Sequence, residues 1–355
     1  MSHNRGTILV TGATGGLGCA IASRIASSRE FGAYHGIFTV RDTKTATALH
    51  AALKSAKQTP MSSHLHEDIK ISLDLSRLDR VREAAAHING LVEAGSIPPL
   101  AAIILNAGYE EFGEQTWTDD GLDTSFVVNY LGHWLLTLLI LRSMDREKGR
   151  IVWISSWAQN PEDRRNVMNR SFRDDKYKTM VDTDLEPLAK GTWSPNKNGE
   201  SIWKAGYRRY GASKVCGVAM IHELQKRLDQ DPRLSKISVL AIDPAAMATG
   251  IVRHTSWLVR VLVFRIFAGV LAPFLVRIHP NGTWRTPQKS ARDVLAVALD
   301  NGPPPLSERP KGLYFNGSEL GDYSSEAKDL SKGQVIWEGS VRFSQLKENE
   351  TILQI

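Results

Sequence analysis

The stretch Thr11-Gly12-Ala13-Thr14-Gly15-Gly16-Leu17-Gly18 decides the fold of this chain. It follows an apolar run from Thr7 and precedes a helical stretch that begins at Cys19. A strand, a glycine-rich turn and a helix start are the context in which backbone N–H groups bind the pyrophosphate of a dinucleotide. The G-x-x-x-G-x-G spacing is looser than the G-x-G-x-x-G fingerprint, so the turn alone leaves open a glycine-rich turn without a ligand.

The same rhythm continues along the chain, because short β-branched runs alternate with longer stretches of helical periodicity. This alternation predicts an α/β fold, a doubly wound (Rossmann) parallel sheet of seven strands with helices on both faces. The predicted strands are Thr7–Thr11, Gly36–Val40, Ile69–Leu73, Ala101–Leu105, Arg150–Ile154, Ile237–Ile242 and Leu313–Phe315. The clearest helical stretches are Leu78–Val92, Leu122–Leu141 and Tyr207–Leu228.

The composition excludes several classes of protein. Of 355 residues, 42% are hydrophobic and 23% are charged, which is typical of a globular chain and not of a disordered or collagen-like one. Two cysteines exclude a disulfide scaffold and a four-cysteine zinc site, and no metal site is predicted. Free thiols and the absence of a signal-peptide pattern favour a cytoplasmic location.

The net charge of +6 is concentrated in one segment. No Asp or Glu occurs between Pro244 and Arg292, where seven basic residues interrupt apolar ones. They are Arg253, Arg260, Arg265, Arg277, Arg285, Lys289 and Arg292. A local basic and apolar segment is not the pattern of a nucleic-acid-binding module, so no nucleic-acid partner is predicted.

The end of the second predicted strand bears on the choice of cofactor. Val40 is followed by Arg41-Asp42. An acidic residue at this position binds the ribose 2′-hydroxyl of NAD, whereas an arginine accommodates the 2′-phosphate of NADP. Arg41 therefore favours NADP(H), although a loop arginine exposed to solvent gives the same pattern.

Tyr210 and Lys214 lie four residues apart in a helical stretch, so both can point into one site. A nearby ammonium is expected to lower the pKa of the phenol and make Tyr210 a general acid or base. Such pairs are common on exposed helix faces. Here the pair follows, in order, the glycine-rich turn, Asn106-Ala107-Gly108 and Ser155-Ser156.

This ordered set resembles the short-chain dehydrogenase/reductase family from about Thr7 to Thr249. A looser similarity, carried by Arg41 and Lys311-Gly-Leu-Tyr-Phe, points to its retinol-dehydrogenase-like branch. The resemblance implies a catalytic tetrad of Asn129, Ser156, Tyr210 and Lys214. It also implies a cofactor site formed by Gly12, Thr14, Gly16, Leu17, Gly18, Arg41, Asp74, Leu75, Asn106, Ala107, Gly108, Tyr210, Lys214, Pro244, Met247 and Thr249.

In the mechanism that the resemblance implies, Ser156 binds the substrate oxygen, and Tyr210 exchanges a proton with it. Lys214 binds the nicotinamide ribose, and Asn129 holds a water that connects Lys214 to solvent. Each of these residues also has an ordinary structural interpretation, such as capping of the next helix by Ser156. Ala245 stands where the family pattern has Gly.

Three segments depart from the regular pattern of one Rossmann-type domain over 1–355. Residues 159–201 form a polar insertion between Ser156 and Tyr210, which we predict to cover or shape the substrate pocket unless it is disordered. Residues 250–288 form the predicted substrate lid, and residues 320–355 a C-terminal extension.

Within the lid, 257–276 is long and apolar, but Arg260, Arg265 and Pro273 argue against a membrane span. Its aromatic residues suit a bulky apolar small-molecule substrate, and its arginines leave open a peripheral membrane contact. A homodimer also stays open.

The predicted function is that of an NADPH-dependent oxidoreductase, which reduces a ketone or aldehyde of a bulky, polycyclic or lipid-like substrate. Two alternatives stay open. One is reduction of a carbon–carbon double bond, or a redox-neutral isomerase or dehydratase reaction, on the same tetrad. The other is a non-catalytic cofactor-binding protein.

Overall fold

Parallel strands form the centre of the fold. The computed structural model describes residues 5–58, 68–111, 113–197, 199–247 and 272–355. Its strands are β1 (Gly6–Val10), β2 (Tyr34–Val40), β3 (Ile69–Ser72), β4 (Leu100–Leu105), β5 (Arg150–Ile154), β6 (Ser238–Asp243), β7 (Tyr314–Asn316) and β8 (Glu319–Leu320). They lie in the order β3-β2-β1-β4-β5-β6-β7-β8, and all neighbours are parallel except β7 and β8.

The seven predicted strands are confirmed, with ends that differ by one or two residues. The eighth strand was not predicted because two exposed residues carry no alternation. It forms a short hairpin with β7, in which Gly317 adopts a left-handed backbone conformation (φ +65°).

Helices cover both faces of the sheet. They are α1 (Gly16–Ser27), α2 (Thr47–Lys57), α3 (Leu78–Glu93), α4 (Thr124–Phe126), α5 (Gly132–Ile140), α6 (Arg164–Asn169), α7 (Glu186–Ala189), α8 (Ile202–Gln230), α9 (Ala272–Ile278), α10 (Pro287–Leu299), α11 (Ser325–Lys328) and α12 (Leu330–Ser344). Apolar residues of α1, α2 and α10 form one core layer, and those of α3, α5, α8 and α12 form the other. The predicted doubly wound architecture is confirmed.

The most apolar helical stretch belongs to this core. Thr124–Ser143 is long and apolar enough to cross a membrane, with a mean hydropathy of 1.5 in its most apolar window. However, 89% of that window is buried inside the protein. We therefore assign this stretch to the core of the protein, where a helix needs the same apolar composition as a membrane span.

Residues 159–201 are ordered and packed, apart from Asn198, which lies outside the described residues. Met180, Val181 and Leu185 are buried in the core layer of α8 and α12. The backbone N–H groups of Met180 and Val181 donate to the carboxylate of Glu326 at 2.8 and 3.2 Å. The insertion is therefore built into the core, and the alternative of a disordered excursion is wrong.

The strand order of the sheet indicates where a binding crevice lies. The chain begins in the middle of the sheet, and successive strands proceed outward first on one side and then, from β4, on the other. In such sheets a crevice opens beyond the carboxyl ends of the strands where the order reverses. Here that crevice lies between the loops that follow β1 and β4.

Candidate active site

One cavity of about 910 Å³ lies at this crevice. Most of the predicted site residues line it. They are Gly12, Thr14, Gly16, Leu17, Gly18, Arg41, Asp74, Leu75, Asn106, Ala107, Gly108, Ser156, Tyr210, Lys214, Pro244 and Met247. Thr249 and residues 257–271 of the predicted lid lie outside the described residues. The structure thus brings together motifs that are far apart in sequence.

The glycine-rich turn has room for backbone only. Gly12 has a φ of +64°, and a Cβ there would lie 2.6 Å from the Cα of Ala107. At Gly18 a Cβ would overlap the backbone oxygen of Gly12. No side chain caps the N-terminus of α1 at Gly15, so its N–H groups face the cavity. This cradle fits the pyrophosphate of a dinucleotide.

Buried hydrogen bonds join the turn to the loop after β4. The Thr11 Oγ1 accepts from the backbone N–H groups of Asn106 and Ala107 at 2.8 and 3.0 Å. It lies 2.9 Å from the Nε2 of His133. Burial and the charge of Lys214 lower the pKa of His133 to about 3, so its ring is neutral. The Asn106 amide donates to the backbone oxygen of Thr11 at 2.8 Å.

The other end of the cavity is lined by Arg41 and Asp74. Arg41 is exposed at the end of β2. The carboxylate of its neighbour Asp42 accepts from the Lys44 N–H at 2.8 Å and from the Thr45 hydroxyl at 3.2 Å. Asp42 is therefore engaged within its own loop, and Arg41 is the charged residue of this pair that lines the cavity.

Tyr210 and Lys214 lie one turn apart on α8, as predicted. Both are buried, and the Ser156 side chain lines the same cavity, close enough to Tyr210 to affect its pKa. Lys214 Nζ donates to the Ile154 carbonyl at 2.9 Å and lies 5.5 Å from the centroid of the Tyr210 ring. Three of the four predicted tetrad residues therefore share one pocket.

The electrostatics of the pair differ from the sequence-based expectation. Burial raises the pKa of Tyr210 well above its ordinary value, and the negative charge of Glu110 raises it further. Burial lowers the pKa of Lys214 to about 8, against the opposing effects of Glu110 and Asp243. The expectation of a lowered Tyr210 pKa is not met, because burial of the phenol has the largest effect and raises that pKa.

Asn129 has a different position from that of the other tetrad residues. It lies in a π-helical turn, Val127–Leu131, between α4 and α5. Its Oδ1 accepts from the Tyr109 N–H at 2.8 Å, and its Nδ2 donates to the Tyr109 carbonyl at 2.8 Å. The amide is thus committed to the loop after β4 and does not line the cavity, although its neighbour Val128 does.

Sequence reasoning missed Glu110. This residue lines the cavity two positions after Asn106-Ala107-Gly108. Burial raises the pKa of its carboxyl to about 7, while the charge of Lys214 and the nearby Tyr210 side chain act in the opposite direction. Its closeness to the sequence motif was the available signal, but nothing in the spacing shows which of Glu110 and Glu111 faces inward.

The loop after β6 closes the remaining side. Ala245 adopts a left-handed conformation (φ +64°), the region that favours glycine, which accounts for the Gly of the family pattern at this position. Asp243 Oδ1 accepts from the Ala245 N–H at 2.8 Å. Arg285 is fully buried and donates to the Asp243 carbonyl at 3.0 Å. This charge of the basic segment thus has a structural role.

Three aromatic side chains line the substrate end. Trp157 precedes the insertion, and Trp203 and Tyr207 follow it. The rings of Trp203 and Tyr207 are stacked, with centroids 5.0 Å apart. None of the described residues within 159–201 lines the cavity, but Arg165 lies over the Trp157 ring at 4.2 Å and Asn166 accepts from the Tyr207 hydroxyl at 2.7 Å. The packing of the insertion brings its two aromatic flanks to the site.

Comparisons with known proteins agree with this geometry. A family model described as short chain dehydrogenase matches residues 6–166. The short-chain dehydrogenase iccH of Talaromyces variabilis is 40% identical over 99% of each chain. An uncharacterised protein from Mycobacterium paratuberculosis has a similar structure, with a TM-score of 0.60, 22% identity, and coverage of 99% of this chain and 96% of that one.

A further solved structure is the angucycline C-6 ketoreductase LanV with bound NADP. It has a TM-score of 0.54 and 19% identity, and the match covers 89% of this chain and 96% of that one. At these identities the solved structures show the fold. The full-length relative at 40% identity shows that the chain belongs to the short-chain dehydrogenase family of oxidoreductases.

Proposed function

We propose that this oxidoreductase uses NADPH to reduce a ketone or aldehyde carbonyl of a bulky apolar substrate. The observation that carries the proposal is the single cavity, in which the glycine-rich cradle at one end is continuous with Ser156, Tyr210 and Lys214. A cofactor phosphate and a reacting carbonyl can therefore be held by one site.

The residues fit a nicotinamide dinucleotide with a 2′-phosphate. Gly12 and Gly18 leave space that a Cβ would fill, and α1 directs uncapped N–H groups to the same space. Arg41 would hold the 2′-phosphate, and Asp74 with Leu75 would border the adenine. LanV, which shares the fold, was solved with NADP. When bound, the cofactor supplies the hydride and with it both electrons of the reduction.

The chain's own residues supply the proton and the orientation. Ser156 and Tyr210 line the same cavity and form a pair of hydroxyl donors for the substrate oxygen. Tyr210 gives its proton to that oxygen as the hydride reaches the carbon. The raised pKa of Tyr210 keeps the phenol protonated at neutral pH, which suits reduction.

The lining of the substrate end supports a large and flat substrate. Trp157, Trp203 and Tyr207 are three aromatic residues in the lining of the cavity, and the rings of Trp203 and Tyr207 are stacked. Aromatic rings pack well on other rings and on polycyclic hydrocarbon frames. We infer that bicyclic or tricyclic ketones are better substrates than short aliphatic ones.

The test measures how fast the purified protein reduces a panel of bicyclic and tricyclic ketones, with the loss of NADPH absorbance as the readout. We expect Tyr210→Phe to lower kcat about 100-fold or more, because general acid catalysis contributes roughly 10²–10⁴-fold. Tyr207→Phe is the matched control. Its hydroxyl is bonded to the Asn166 Oδ1 at 2.7 Å, so we expect less than a tenfold loss.

Deuterated NADPH decides between the reactions that share this machinery. Deuterium at the carbinol carbon supports the proposal. Deuterium at a carbon of a former double bond, or product formed without deuterium, would show a double-bond reductase or an isomerase. Equal kcat in Tyr210→Phe and the wild type would contradict the proposed chemistry altogether.

A further inference from the structure

The Glu110 carboxyl has no role in the mechanism above, yet it lies beside the reacting groups. It lines the cavity with Tyr210 and Lys214 and lies close enough to both for their charges and polar groups to interact. A carboxyl beside the proton donor of a reaction can exchange a proton with it, directly or through a water. Its position therefore raises the question of how Tyr210 is protonated again after each turnover.

Both neighbours of Glu110 are anchored, which fixes the backbone from which its side chain extends. The backbone N–H and C=O of Tyr109 are bonded to the amide of Asn129. The Glu111 carboxylate forms a buried ion pair with Arg209 at 2.9 Å and accepts from the Thr116 N–H at 2.8 Å. With both neighbours held, Glu110 has little freedom to leave the cavity.

The contact with α8 depends on a glycine. A Cβ on Gly206 would overlap the backbone oxygen of Glu111. The absence of a side chain at this position lets the loop lie directly on α8, one turn before Tyr210. The carboxyl of Glu110 is thereby brought to the phenol by backbone packing rather than by a flexible reach.

Several titratable groups face the Glu110 carboxyl. Those on α8 are Tyr207, Tyr210 and Lys214, and Asp243 at the end of β6 faces Lys214. Burial outweighs the attraction of Lys214 and raises the pKa of Glu110 to about 7. A carboxyl with this pKa exists in both protonation states near neutral pH, as a proton relay requires.

The relay implied by family resemblance uses Asn129, whose side-chain amide holds the loop after β4 in place. Its oxygen and nitrogen both bond to the backbone of Tyr109, and Nδ2 also donates to the Ser125 Oγ at 3.1 Å. Lys214 Nζ in turn donates to Ile154. Glu110 lies beside the phenol and borders the open cavity, so it offers a second path for the proton.

We propose that Glu110 is a further catalytic residue, which returns a proton to Tyr210 after each reduction. In this step the O–H bond of the Glu110 carboxyl breaks and the O–H bond of the Tyr210 phenol forms again. The carboxylate then takes a proton from water in the cavity. Over one cycle the carbonyl gains a hydride from the cofactor and one solvent proton, so electrons and protons balance. The inference rests on the proposed carbonyl reduction.

Glu110→Gln tests the relay, because the amide keeps the size and polarity of the side chain and has no acidic proton. Glu114→Gln is the matched control, since Glu114 is an exposed residue of the same loop. In a rapid-mixing experiment with NADPH and a ketone, the first turnover of Glu110→Gln should match that of the wild type. Later turnovers should be about tenfold to 100-fold slower, which gives a burst.

A merely structural role for Glu110 would slow the first turnover as much as the later ones, and that result would overturn the relay. The wild type should also lose kcat as pH rises through about 7, where the carboxyl loses its proton. Glu110→Gln should lack this decrease. A decrease that persists unchanged in the variant would also overturn the proposal.

A second readout does not require turnover. The ultraviolet difference titration between the wild type and Tyr210→Phe isolates the ionisation of Tyr210. Because the Glu110 charge raises the Tyr210 pKa, Glu110→Gln should lower that pKa. If the Tyr210 pKa is the same in Glu110→Gln as in the wild type, the two side chains do not interact and the proposal is overturned. A wild type that reduces no ketone overturns the proposed function and the relay with it, whereas steady turnover by Glu110→Gln overturns the relay alone.

Discussion

Arg41 is a single exposed side chain on which the choice of cofactor is expected to depend. It lines the cavity at the end of β2, while the adjacent carboxylate of Asp42 is engaged by Lys44 and Thr45. Hydrogen bonds to charged groups contribute about 1.5–3 kcal/mol, and 1.4 kcal/mol is a tenfold change in affinity. We expect Arg41→Ala to weaken NADPH binding about tenfold to 100-fold and NADH binding less than threefold, as measured by quenching of protein fluorescence.

The adjacent acid supplies the control for this experiment. Asp42→Asn keeps the loop contacts in part and should change the ratio of NADPH to NADH affinity only slightly. Added salt should weaken NADPH binding to the wild type more than to Arg41→Ala, because the ion pair is partly exposed. Equal losses for NADPH and NADH in Arg41→Ala would mean that Arg41 does not recognise the 2′-phosphate.

Individual site residues could be predicted where a motif fixes the backbone, and less well where long-range packing sets the environment. Gly12 and Asn106 were predicted because their roles are local to turns after strands. The pKa of Tyr210 was predicted in the wrong direction, because a spacing of four residues shows that Lys214 is near and does not show how deeply the phenol is buried. The contribution of Glu110 depends on the packing of its loop on α8, which no local pattern encodes.

At the scale of elements, α8 carries Tyr210 and Lys214, the residues of the proposed chemistry, and also anchors the loop that faces them. Gly206 permits the close approach of the Glu111 backbone, and Arg209 forms ion pairs with Glu111 at 2.9 Å and Asp123 at 3.3 Å. Burial raises the pKa of Asp123 to about 6, against the effect of Arg209. The helix and the loop therefore act as one unit, held by buried charge.

We expect Gly206→Ala to lower the free energy of unfolding by about 2 kcal/mol or more, because a buried overlap with backbone cannot relax without displacing the loop. Catalytic turnover should fall as Glu110 moves. Gly90→Ala is the matched control in α3, where an added Cβ would meet nothing within 4 Å. It should stabilise the protein by about 0.5–1 kcal/mol. Equal effects in a urea titration would contradict the docking argument.

The regular elements were predictable, whereas the path of the insertion was not. The seven parallel strands have apolar runs that are independent of their partners. Met180, Val181 and Leu185 are isolated apolar residues in a polar stretch, and their partners lie more than 100 positions later, in α11 and α12. Only the tertiary structure shows that this polar segment contributes to the core.

The whole molecule uses its C-terminal region as part of the fold rather than as an appendage. The Tyr130 hydroxyl is 2.8 Å from the Ser340 Oγ, and the Thr351 hydroxyl donates to the Leu138 carbonyl at 2.8 Å. Arg82 and Glu350 form an ion pair at 2.6 Å. These contacts join the last residues to α3 and α5, so the predicted extension 320–355 is integral to the domain.

At the scale of the whole molecule, some of the basic residues between Pro244 and Arg292 serve the fold. Of the seven basic residues between Pro244 and Arg292, Arg285 is fully buried and Lys289 forms an ion pair with Asp293 at 2.6 Å. Arg253, Arg260 and Arg265 lie outside the described residues. At least two of the seven charges therefore stabilise the fold and are not available to an anionic partner.

Trp337 gives the most direct test of the C-terminal contribution to stability. It is 2% exposed, its ring contacts that of Trp134 edge-on with centroids 5.2 Å apart, and the Arg227 guanidinium lies 4.1 Å from its ring centroid. Large-to-small changes of this kind cost about 3–5 kcal/mol. We expect that loss for Trp337→Ala in urea unfolding. Trp117→Ala, at a tryptophan that is 54% exposed, should cost about 1 kcal/mol or less. Equal losses would mean that α12 packs without stabilising the domain. The expected difference would show that residues 320–355 stabilise the domain that contains the cavity, although none of them lines it.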